Sequence, residues 1–371
     1  MESLTAVVLA AGQGTRMKSQ WPKVLHKVCG VPMAEQVIRT VKKAGSEKCV
    51  VVTGFKEELV RESLAGENIY FVHQEEQLGT AHAVMQAVPL FKDNRDGYVL
   101  VVCGDTPLLC RETIEGLVRA CRDHDGAAAV LTAIMDNPFG YGRVLRDAKG
   151  HMISIVEQKD GTPDQLAVHE INTGTYVFKT GALLDSLEKV DNKNAQGEYY
   201  LTDVFEILIK AGRKVIPVAA EDASETMGVN SRIQLAEADR ILRIRKAEDL
   251  MAAGVTVTDP YSTYIEQDVE VGQDTVILPG TMLQGKTKVG KNCTLGPDTQ
   301  LTDVICGDGN HLNRVYAHSC ELGDNNEIGP FVHLRPETCL HNDIKIGNFV
   351  EVKNSDVDDG TKLPHLIYCG D

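Results

Sequence analysis

The stretch YIEQDVEVGQDTVILPGTMLQGKTKVGKNCTLGPDTQL, residues 264–301, decides the fold of the second half of the chain. An apolar residue recurs at every sixth position, and a glycine often follows it. A period of six fits neither a helix, which repeats every ~3.6 residues, nor a single alternating strand. It is typical of a coil of three short strands, each of which points one apolar side chain inward. We therefore predict a parallel β-helix over residues 255–371.

The repeat runs in two registers. The inward positions of the first are Ile265, Val271, Ile277, Leu283, Val289, Leu295 and Leu301, and those of the second are Leu322, Ile328, Leu334, Leu340, Ile346 and Val352. Leu301 and Leu322 are 21 residues apart, which is not a multiple of six, so we expect an insertion in a turn between residues 302 and 321. A β-sandwich is the alternative, but its strands would alternate with a period of two.

The first 230 residues alternate strand-like and helix-like patterns. Apolar β-rich runs lie at residues 6–9, 49–53, 69–72, 98–103, 127–134, 153–156 and 214–218. This alternation predicts a Rossmann-like α/β domain with a mostly parallel sheet over residues 1–230. Ser231 followed by Gln234 is a capping-box pattern, and Gly254 is a stop signal, so we expect a connector helix over residues 231–254.

Composition excludes several classes of protein. The chain has 371 residues and a net charge of −15, which argues against nucleic acid and anionic membrane surfaces as partners. It has no apolar run of the ~20 residues that span a bilayer. Residues 4–11 follow an acidic residue and lack a basic flank, so we do not expect a signal peptide. The ten cysteines form no C-x-x-C pair and indicate reduced thiols in a cytoplasmic protein.

A glycine loop follows the first predicted strand. Residues 9–17 read LAAGQGTRM, and Pro22-Lys23 comes shortly after. Backbone N–H groups in such a loop can approach phosphates, although a lone G-x-G fits a tight structural turn equally well. The sequence matches neither the dinucleotide fingerprint nor a Walker A loop. Arg16 and Lys23 add two cations, which favours a triphosphate clamp.

The motif L-A-A-G-x-G-T-R-M with its following P-K resembles the signature of sugar-1-phosphate nucleotidyltransferases. Together with the six-residue repeats, residues 4–371 resemble the bacterial bifunctional N-acetylglucosamine-1-phosphate uridylyltransferase/glucosamine-1-phosphate acetyltransferases. The resemblance implies a left-handed β-helix, a homotrimer and transfer of UMP from UTP to N-acetylglucosamine-1-phosphate. It also implies acetylation of glucosamine-1-phosphate by acetyl-CoA, in the supply of peptidoglycan and lipopolysaccharide precursors.

The resemblance assigns most of the nucleotide site. The expected contacts to UTP are Leu9, Ala10, Ala11, Gly12, Gln74, Gly79 and Thr80, with Arg16 assisting pyrophosphate departure and Lys23 holding phosphate. Asp105, after the run 98–103, is the expected ligand of Mg²⁺ (or Mn²⁺), together with Asn230. From the residues alone, Thr80 and Asp105 could each be a helix N-cap, and Asn230 a helix-entry residue.

Three further segments match the sugar pocket of that family. The expected contacts are Gly142, Glu157 and Asn172, and residues 196–203 are expected to shape the pocket. Carboxylate and amide groups suit hydroxyls and an N-acetyl group, although each residue taken singly fits a surface loop.

The second site is expected in the β-helix. By resemblance, Arg335 and Lys353 bind sugar phosphate, Tyr368 contacts the substrates, and His365 is the general base. Taken alone, His365 fits an exposed turn. The relatives continue through several more coils after the segment 366–371, so we expect an incomplete acetyltransferase domain in which acetyl transfer is doubtful.

Two other functions stay open. One is a single-activity nucleotidyltransferase for a different sugar phosphate, in which the β-helix is an oligomerisation arm. The other is a non-catalytic nucleotide-sugar sensor or scaffold. The joint presence of Arg16, Lys23, Asp105 and Asn230 argues against a sensor, because a binding protein needs no groups for a metal and a leaving group.

Overall fold

The computed structural model describes residues 3–66 and 68–370. The chain divides into two units, residues 1–28 with 32–238, and residues 29–31 with 239–371. Each unit has its own hydrophobic core. None of the helices in the described ranges is long and apolar enough to cross a membrane.

The seven strand-like runs of the first 230 residues all form strands. The strands are β1 (Leu4–Leu9), β2 (Lys27–Val28), β3 (Val31–Pro32), β4 (Lys48–Thr53), β5 (Ile69–His73), β6 (Tyr98–Cys103), β7 (Ala128–Ile134), β8 (Gly142–Arg146), β9 (Met152–Val156), β10 (Glu170–Lys179) and β11 (Val215–Ala219). The helices are α1 (Met33–Lys43), α2 (Glu57–Leu64), α3 (Thr80–Ala87), α4 (Arg111–Asp123), α5 (Pro163–Leu166), α6 (Thr180–Leu187), α7 (Asp203–Lys210) and α8 (Arg232–Ala252).

The sheet of the first unit is mixed. Its order is β11-β7-β10-β6-β1-β4-β5, and β8 and β9 extend it beside β10. Strands β4, β1 and β6 are parallel, whereas β10 runs antiparallel to both β6 and β7. Because the carboxyl ends of β1, β4 and β6 meet at one edge, the residues that follow these strands are brought together there.

Strand β10 was not predicted from the sequence. Its Ile171, Val177 and Phe178 are buried in the core, but a register shift between Asn172 and Tyr176 interrupts the ladder. Gly174 lies inside that irregularity with φ +80, a conformation that favours glycine. The strand is therefore bent at the position of a candidate sugar contact, Asn172.

Helix α8 begins directly after Ser231, as predicted, but the Gln234 side chain bonds the N–H of Asn230, one residue earlier than in a capping box. The Ser231 hydroxyl accepts a hydrogen bond from the Gln234 backbone N–H at 3.2 Å, and the Gln234 side chain accepts one from the Asn230 N–H at 2.9 Å. The two units divide within this helix, between residues 238 and 239. Its role as a separate connector stays a prediction.

The described part of the second unit, through residue 370, is built from twenty short strands. They are β12 (Thr256–Val257), β13 (Tyr264–Ile265), β14 (Glu270–Val271), β15 (Val276–Ile277), β16 (Met282–Gln284), β17 (Lys288–Val289), β18 (Thr294–Leu295), β19 (Gln300–Thr302), β20 (Ile305–Cys306), β21 (His311–Leu312), β22 (Val315–His318), β23 (Glu321–Leu322), β24 (Glu327–Ile328), β25 (Val332–Leu334), β26 (Cys339–Leu340), β27 (Lys345–Ile346), β28 (Glu351–Val352), β29 (Asp356–Val357), β30 (Lys362–Leu363) and β31 (Tyr368–Cys369). Every third strand pairs in parallel, which gives three sheets and confirms the β-helix.

The predicted insertion between residues 302 and 321 is wrong. Three inward residues, Cys306, Leu312 and Ala317, fill that interval at steps of five or six residues, and each stacks on the coil before it. The turns are shorter there, not longer. Asp303 and Ser319 adopt positive φ in two of these turns, as Asp274 and Asn292 do in turns of the full length.

Candidate active site

A cavity of ≈ 330 Å³ opens at the carboxyl edge of β1 and β6. Nine of the residues predicted for the nucleotide and metal line it: Leu9, Ala10, Ala11, Gly12, Lys23, Gln74, Gly79, Thr80 and Asp105. Val24, Gln77, Ala83, Cys103 and Glu198 complete the lining. The structure thus gathers residues from widely separated parts of the sequence around one space.

The glycine loop forms one wall of the cavity, and backbone hydrogen bonds hold it. The Ala10 N–H donates to the Val52 carbonyl, and the Leu9 carbonyl accepts from Gly104, both at 2.9 Å. Gln77, which sequence reasoning did not single out, donates its side-chain amide to the Ala11 carbonyl at 2.8 Å. No atom would lie within 4 Å of a Cβ at Gly12, so the loop leaves open space beside it.

A second wall is formed by Gln74 and the start of α3. The Gln74 amide is 4 % exposed and donates to the Gly79 carbonyl at 3.1 Å. Gly79, with φ +113, is the N-cap of α3, and Thr80 is the first helical residue. The Thr80 hydroxyl accepts a hydrogen bond from the Leu201 N–H at 3.0 Å, so the alternative that Thr80 is a helix N-cap is wrong.

Three polar side chains meet beside the cavity, with Lys23 and Asp105 in its lining and Asn230 next to them. The Lys23 ammonium contacts the Asp105 carboxylate and donates to the Asn230 amide oxygen at 3.0 Å. The Val229 N–H donates to the Asp105 carbonyl at 2.8 Å, which fixes Asn230 beside Asp105. The alternative that Asp105 caps a helix is wrong, because α4 has Cys110 as its N-cap.

The oxygens of Asp105 and Asn230 therefore converge on a cation, which here is the Lys23 ammonium. Carboxylate and amide oxygens are also ligands that Mg²⁺ and Mn²⁺ accept, so the donor set fits a divalent ion. Lys23 binds these oxygens in the structure, whereas the sequence predicted a phosphate contact for it. A divalent ion on the same oxygens would release the ammonium for that contact.

Arg16 lies outside the lining of this cavity. It sits in a short 3₁₀ helix (Thr15–Met17) and is exposed. Burial raises the pKa of the Tyr141 hydroxyl, and the Asp105 carboxylate adds to the rise while the Arg16 charge opposes it. Arg16 is thus within electrostatic reach of the polar end of the cavity.

The three predicted sugar contacts come together on neighbouring strands. A Cβ built at Gly142 would lie 3.4 Å from both a Glu157 carboxylate oxygen and the Asn172 Cβ. The Asn172 amide donates to the Tyr176 hydroxyl at 2.8 Å, and Glu157 accepts from the Thr202 hydroxyl at 3.0 Å. All three residues lie beyond the lining of the ≈ 330 Å³ cavity.

Burial raises the pKa of Glu157. The hydrogen bond from Thr202 lowers this pKa, and the nearby Asp160 and Glu198 carboxylates raise it further. Glu198 also lines the cavity, so it connects the cavity with the sugar residues. Burial raises the pKa of the Cys103 thiol to about 12, so this cavity residue is a neutral thiol at pH 7. Glu198 falls in the segment 196–203 that the sequence associated with the pocket, whereas no sequence signal pointed to Cys103.

The predicted acetyltransferase residues lie on successive coils of the β-helix. The backbone N–H of Arg335 donates to Val352, and that of Lys353 donates to Cys369, so the two cations are on adjacent coils. The Arg335 guanidinium pairs with Glu351 at 2.9 Å. His365 lies exposed in the turn between β30 and β31, and Tyr368 is 55 % exposed.

The glycine loop, the Asp105 carboxylate and the Asn230 amide lie together at the carboxyl edge of the sheet, where the sequence resemblance expects the site of a nucleotidyltransferase. The model of the family described as nucleotidyl transferase matches residues 5–228. Over 366 residues the chain is 49 % identical to the bifunctional protein GlmU of Geobacillus sp. (strain WCH70), covering 99 % of this chain and 79 % of the relative. It is 48 % identical over 371 residues to GlmU of Listeria monocytogenes serotype 4a (strain HCC23), covering 100 % and 81 %. The chain belongs to the GlmU family of bifunctional nucleotidyl transferases, which confirms the resemblance predicted from its motifs.

Proposed function

We propose that the first unit transfers UMP from UTP to N-acetylglucosamine-1-phosphate. A phosphate oxygen of the sugar phosphate bonds to the α-phosphorus of UTP, the bond to the β-phosphate oxygen breaks, and pyrophosphate leaves with UDP-N-acetylglucosamine as product. The observation that carries this proposal is the cavity whose glycine-loop wall leads to the cluster of Lys23, Asp105 and Asn230. The space can hold a nucleotide base, and the cluster supplies charge where phosphates would lie.

The nucleotide is recognised by the cavity walls. The loop 9–12 offers small side chains and open space, which lets a flat base lie against backbone groups. The Gln74 side-chain nitrogen contacts both the Gly79 carbonyl, at 3.1 Å, and the His82 ring, at 3.0 Å, so the side-chain oxygen is held in a fixed direction as an acceptor. Thr80 and Gln77 add polar groups on the same side.

Lys23 and Arg16 supply positive charge to the reacting phosphates. Negative charge builds on the phosphoryl oxygens and on the leaving pyrophosphate, so positioned cations stabilise the transition state. Asp105 and Asn230 would hold Mg²⁺, which polarises phosphate oxygens and neutralises their charge when bound. We assign the departing pyrophosphate to Arg16, which is exposed in the short 3₁₀ helix that follows the glycine loop.

The sugar binds next to Gly142, Glu157 and Asn172. Glu157 and Asn172 offer hydrogen-bond groups to hydroxyls and to the N-acetyl amide. Gly142 lies against the other two residues, because a Cβ there would be 3.4 Å from both a Glu157 carboxylate oxygen and the Asn172 Cβ.

The β-helix carries the second activity of the family, acetylation of glucosamine-1-phosphate by acetyl-CoA. Arg335 and Lys353 bind the sugar phosphate, Tyr368 contacts the substrates, and His365 accepts the proton of the 2-amine as it attacks the thioester. The assembly is a homotrimer, because the outer faces of a solenoid favour association. The nucleotide sugar feeds peptidoglycan and lipopolysaccharide precursors.

One experiment separates the two activities and the alternatives. The protein is incubated with UTP, Mg²⁺, acetyl-CoA, unlabelled glucosamine-1-phosphate and isotope-labelled N-acetylglucosamine-1-phosphate. The products are identified by mass spectrometry. Labelled UDP-N-acetylglucosamine supports uridylyl transfer, and the unlabelled product in addition supports acetyl transfer. Neither product there, together with turnover in a parallel incubation of UTP, Mg²⁺ and glucose-1-phosphate, would favour a single-activity enzyme for another sugar. Binding of UDP-N-acetylglucosamine without any turnover would favour a sensor.

A further inference from the structure

A group of ligand-type side chains lies on the outside of the β-helix, at Cys339, His341 and Asp356. The thiol sulfur, an imidazole nitrogen and a carboxylate oxygen all lie within 4.8 Å of one another. None of the three belongs to the residues assigned to either transfer reaction. We propose that they form a binding site for a transition-metal ion, with Zn²⁺ the expected occupant.

The backbone of the β-helix places these residues side by side. Strands β26 and β29 are neighbours in one parallel sheet, and Cys339 is paired in register with Asp356. The Cys339 N–H donates to Ser355 at 2.9 Å, and the His341 N–H donates to Val357 at 3.0 Å. Because adjacent parallel strands are about 4.8 Å apart, side chains paired in this way stay within reach of a common ion.

His341 is already directed at the carboxylate. Its Nε2 lies 2.8 Å from the Asp356 Oδ1. Its backbone carbonyl accepts a hydrogen bond from the buried Asn326 amide at 3.0 Å, which fixes the turn that carries the ring. The His341 and Asp356 side chains are 45 % and 74 % exposed, and Cys339 is half-buried. The thiol is therefore the inner donor, and an ion can approach from solvent.

The spacing suits a tetrahedral ion after a small adjustment. Ligand atoms around tetrahedral zinc are about 3.3–3.8 Å apart, so the widest separations in the group must close by about 1 Å, whereas His341 Nε2 and Asp356 Oδ1, now 2.8 Å apart, must open by about 0.5 Å. Rotation of the exposed His341 and Asp356 side chains supplies both movements. Glu321 is paired in register with Cys339 on the preceding coil and is the expected fourth ligand. Sulfur and nitrogen donors favour Zn²⁺ or Co²⁺ over Mg²⁺ and Ca²⁺.

Such an ion would join three consecutive coils, those of Glu321, of Cys339 with His341, and of Asp356. A ligand that binds the folded chain and not the unfolded one stabilises the fold by mass action. We therefore expect Zn²⁺ to raise the unfolding temperature of the β-helix.

The test is titration of the metal-free protein with Co²⁺, followed by absorption spectroscopy. Thiolate ligation gives a sulfur-to-cobalt charge-transfer band in the ultraviolet, which the oxygen donors of Asp105 and Asn230 cannot produce. We expect one such site per chain, loss of the band in Cys339→Ser, and binding at least tenfold weaker in His341→Ala. The control Cys369→Ser removes another half-buried thiol of the β-helix and should keep the band.

The absence of a thiolate band in the wild-type protein, or a band that survives Cys339→Ser, would overturn the assignment. Thermal unfolding gives a second readout, since Zn²⁺ should raise the midpoint of the wild type and not that of His341→Ala. An equal rise in both proteins would exclude His341 as a ligand.

Discussion

Replacing Gly79 by alanine should damage both the stability of the first unit and its affinity for UTP. A Cβ at this position would lie 2.5 Å from the Tyr199 carbonyl oxygen and 2.8 Å from the Tyr199 nitrogen. The residue also has φ +113, a conformation that L side chains rarely adopt. Two backbone hydrogen bonds join the same segments, from Tyr199 to Leu78 at 2.7 Å and from Ala81 to Tyr199 at 2.9 Å. The segments cannot separate without stretching these bonds.

The size of the effect follows from these contacts. Backbone strain at such a residue costs about 1–3 kcal/mol, and loss of one backbone hydrogen bond costs about 1 kcal/mol. The sum, about 2–4 kcal/mol, lowers the unfolding midpoint of a unit of this size by roughly 5–10 °C. The Gly79 carbonyl also holds the Gln74 amide at 3.1 Å, so its displacement should raise the KM for UTP by about tenfold or more with a smaller change in kcat.

Gly116→Ala is the matched control. Gly116 lies inside α4, and no atom comes within 4 Å of a Cβ built on it. Alanine there should stabilise the unit by about 1 kcal/mol, because glycine is the weaker helix former, and should leave the KM for UTP unchanged. Calorimetry and steady-state kinetics on both variants check the pair. A Gly79→Ala protein that unfolds within 1 °C of the wild type, with the same KM, would refute the reasoning.

Three further predictions concern the metal ligand, a buried carboxyl and the core. Asp105→Asn should lower kcat/KM for uridylyl transfer by about 10³-fold, because a unit charge ~4 Å from a cation is worth about 4 kcal/mol at an effective dielectric of ~20. Asp185→Asn, an exposed carboxyl paired with an arginine, should leave the rate unchanged, and equal rates for the two variants would contradict the assignment. Burial raises the pKa of Asp203 from 3.8 to about 6, with Glu206 adding to the rise, so its ionisation destabilises the fold as pH rises through that window. The stability of Asp203→Asn relative to the wild type should therefore increase from pH 4 to pH 7 in thermal melts. A difference in stability between the two proteins that does not change with pH would contradict this. Phe178→Ala should lower the free energy of unfolding by about 3–5 kcal/mol in denaturant titrations, because the ring is fully buried and packs 5.2 Å from Phe205. A loss below 1 kcal/mol would mean that the core collapses to fill the space.

Local patterns predicted most of the fold. The sixfold repeat predicted the β-helix because each strand contributes one inward side chain, and Leu283 and Leu301 do pair on neighbouring coils. The same pattern gave a wrong prediction at residues 302–321. Shortened turns and an inserted turn both break the six-residue period, so the period alone does not distinguish them. Strand β10 was missed because Asn172 and Gly174 look like loop residues, and only the neighbouring strands show why a bulge belongs there.

The candidate site was predicted less directly. Residues 9–12 and 79–80 belong to local sequence motifs. The resemblance of these motifs to a known family assigned the residues to the nucleotide site. The contact of Lys23 with Asp105 joins residues 82 positions apart, and its contact with Asn230 spans 207. No sequence period reports such pairings. The Cys339, His341 and Asp356 group was also missed, because Cys339 and Asp356 meet only through the coil-to-coil register.

The hydrogen bond from Val229 to Asp105 has a practical consequence for isolating the first unit. The family match ends at residue 228, and Asn230 comes two residues later. An expression boundary drawn at the end of the match would retain every strand of the sheet but delete one of the two oxygens that face Lys23. Such a fragment would lose the Val229 hydrogen bond to Asp105 and half of the proposed metal ligands. A boundary at residue 238, where the compact unit ends, keeps Asn230 together with the helix turn whose Gln234 holds its backbone.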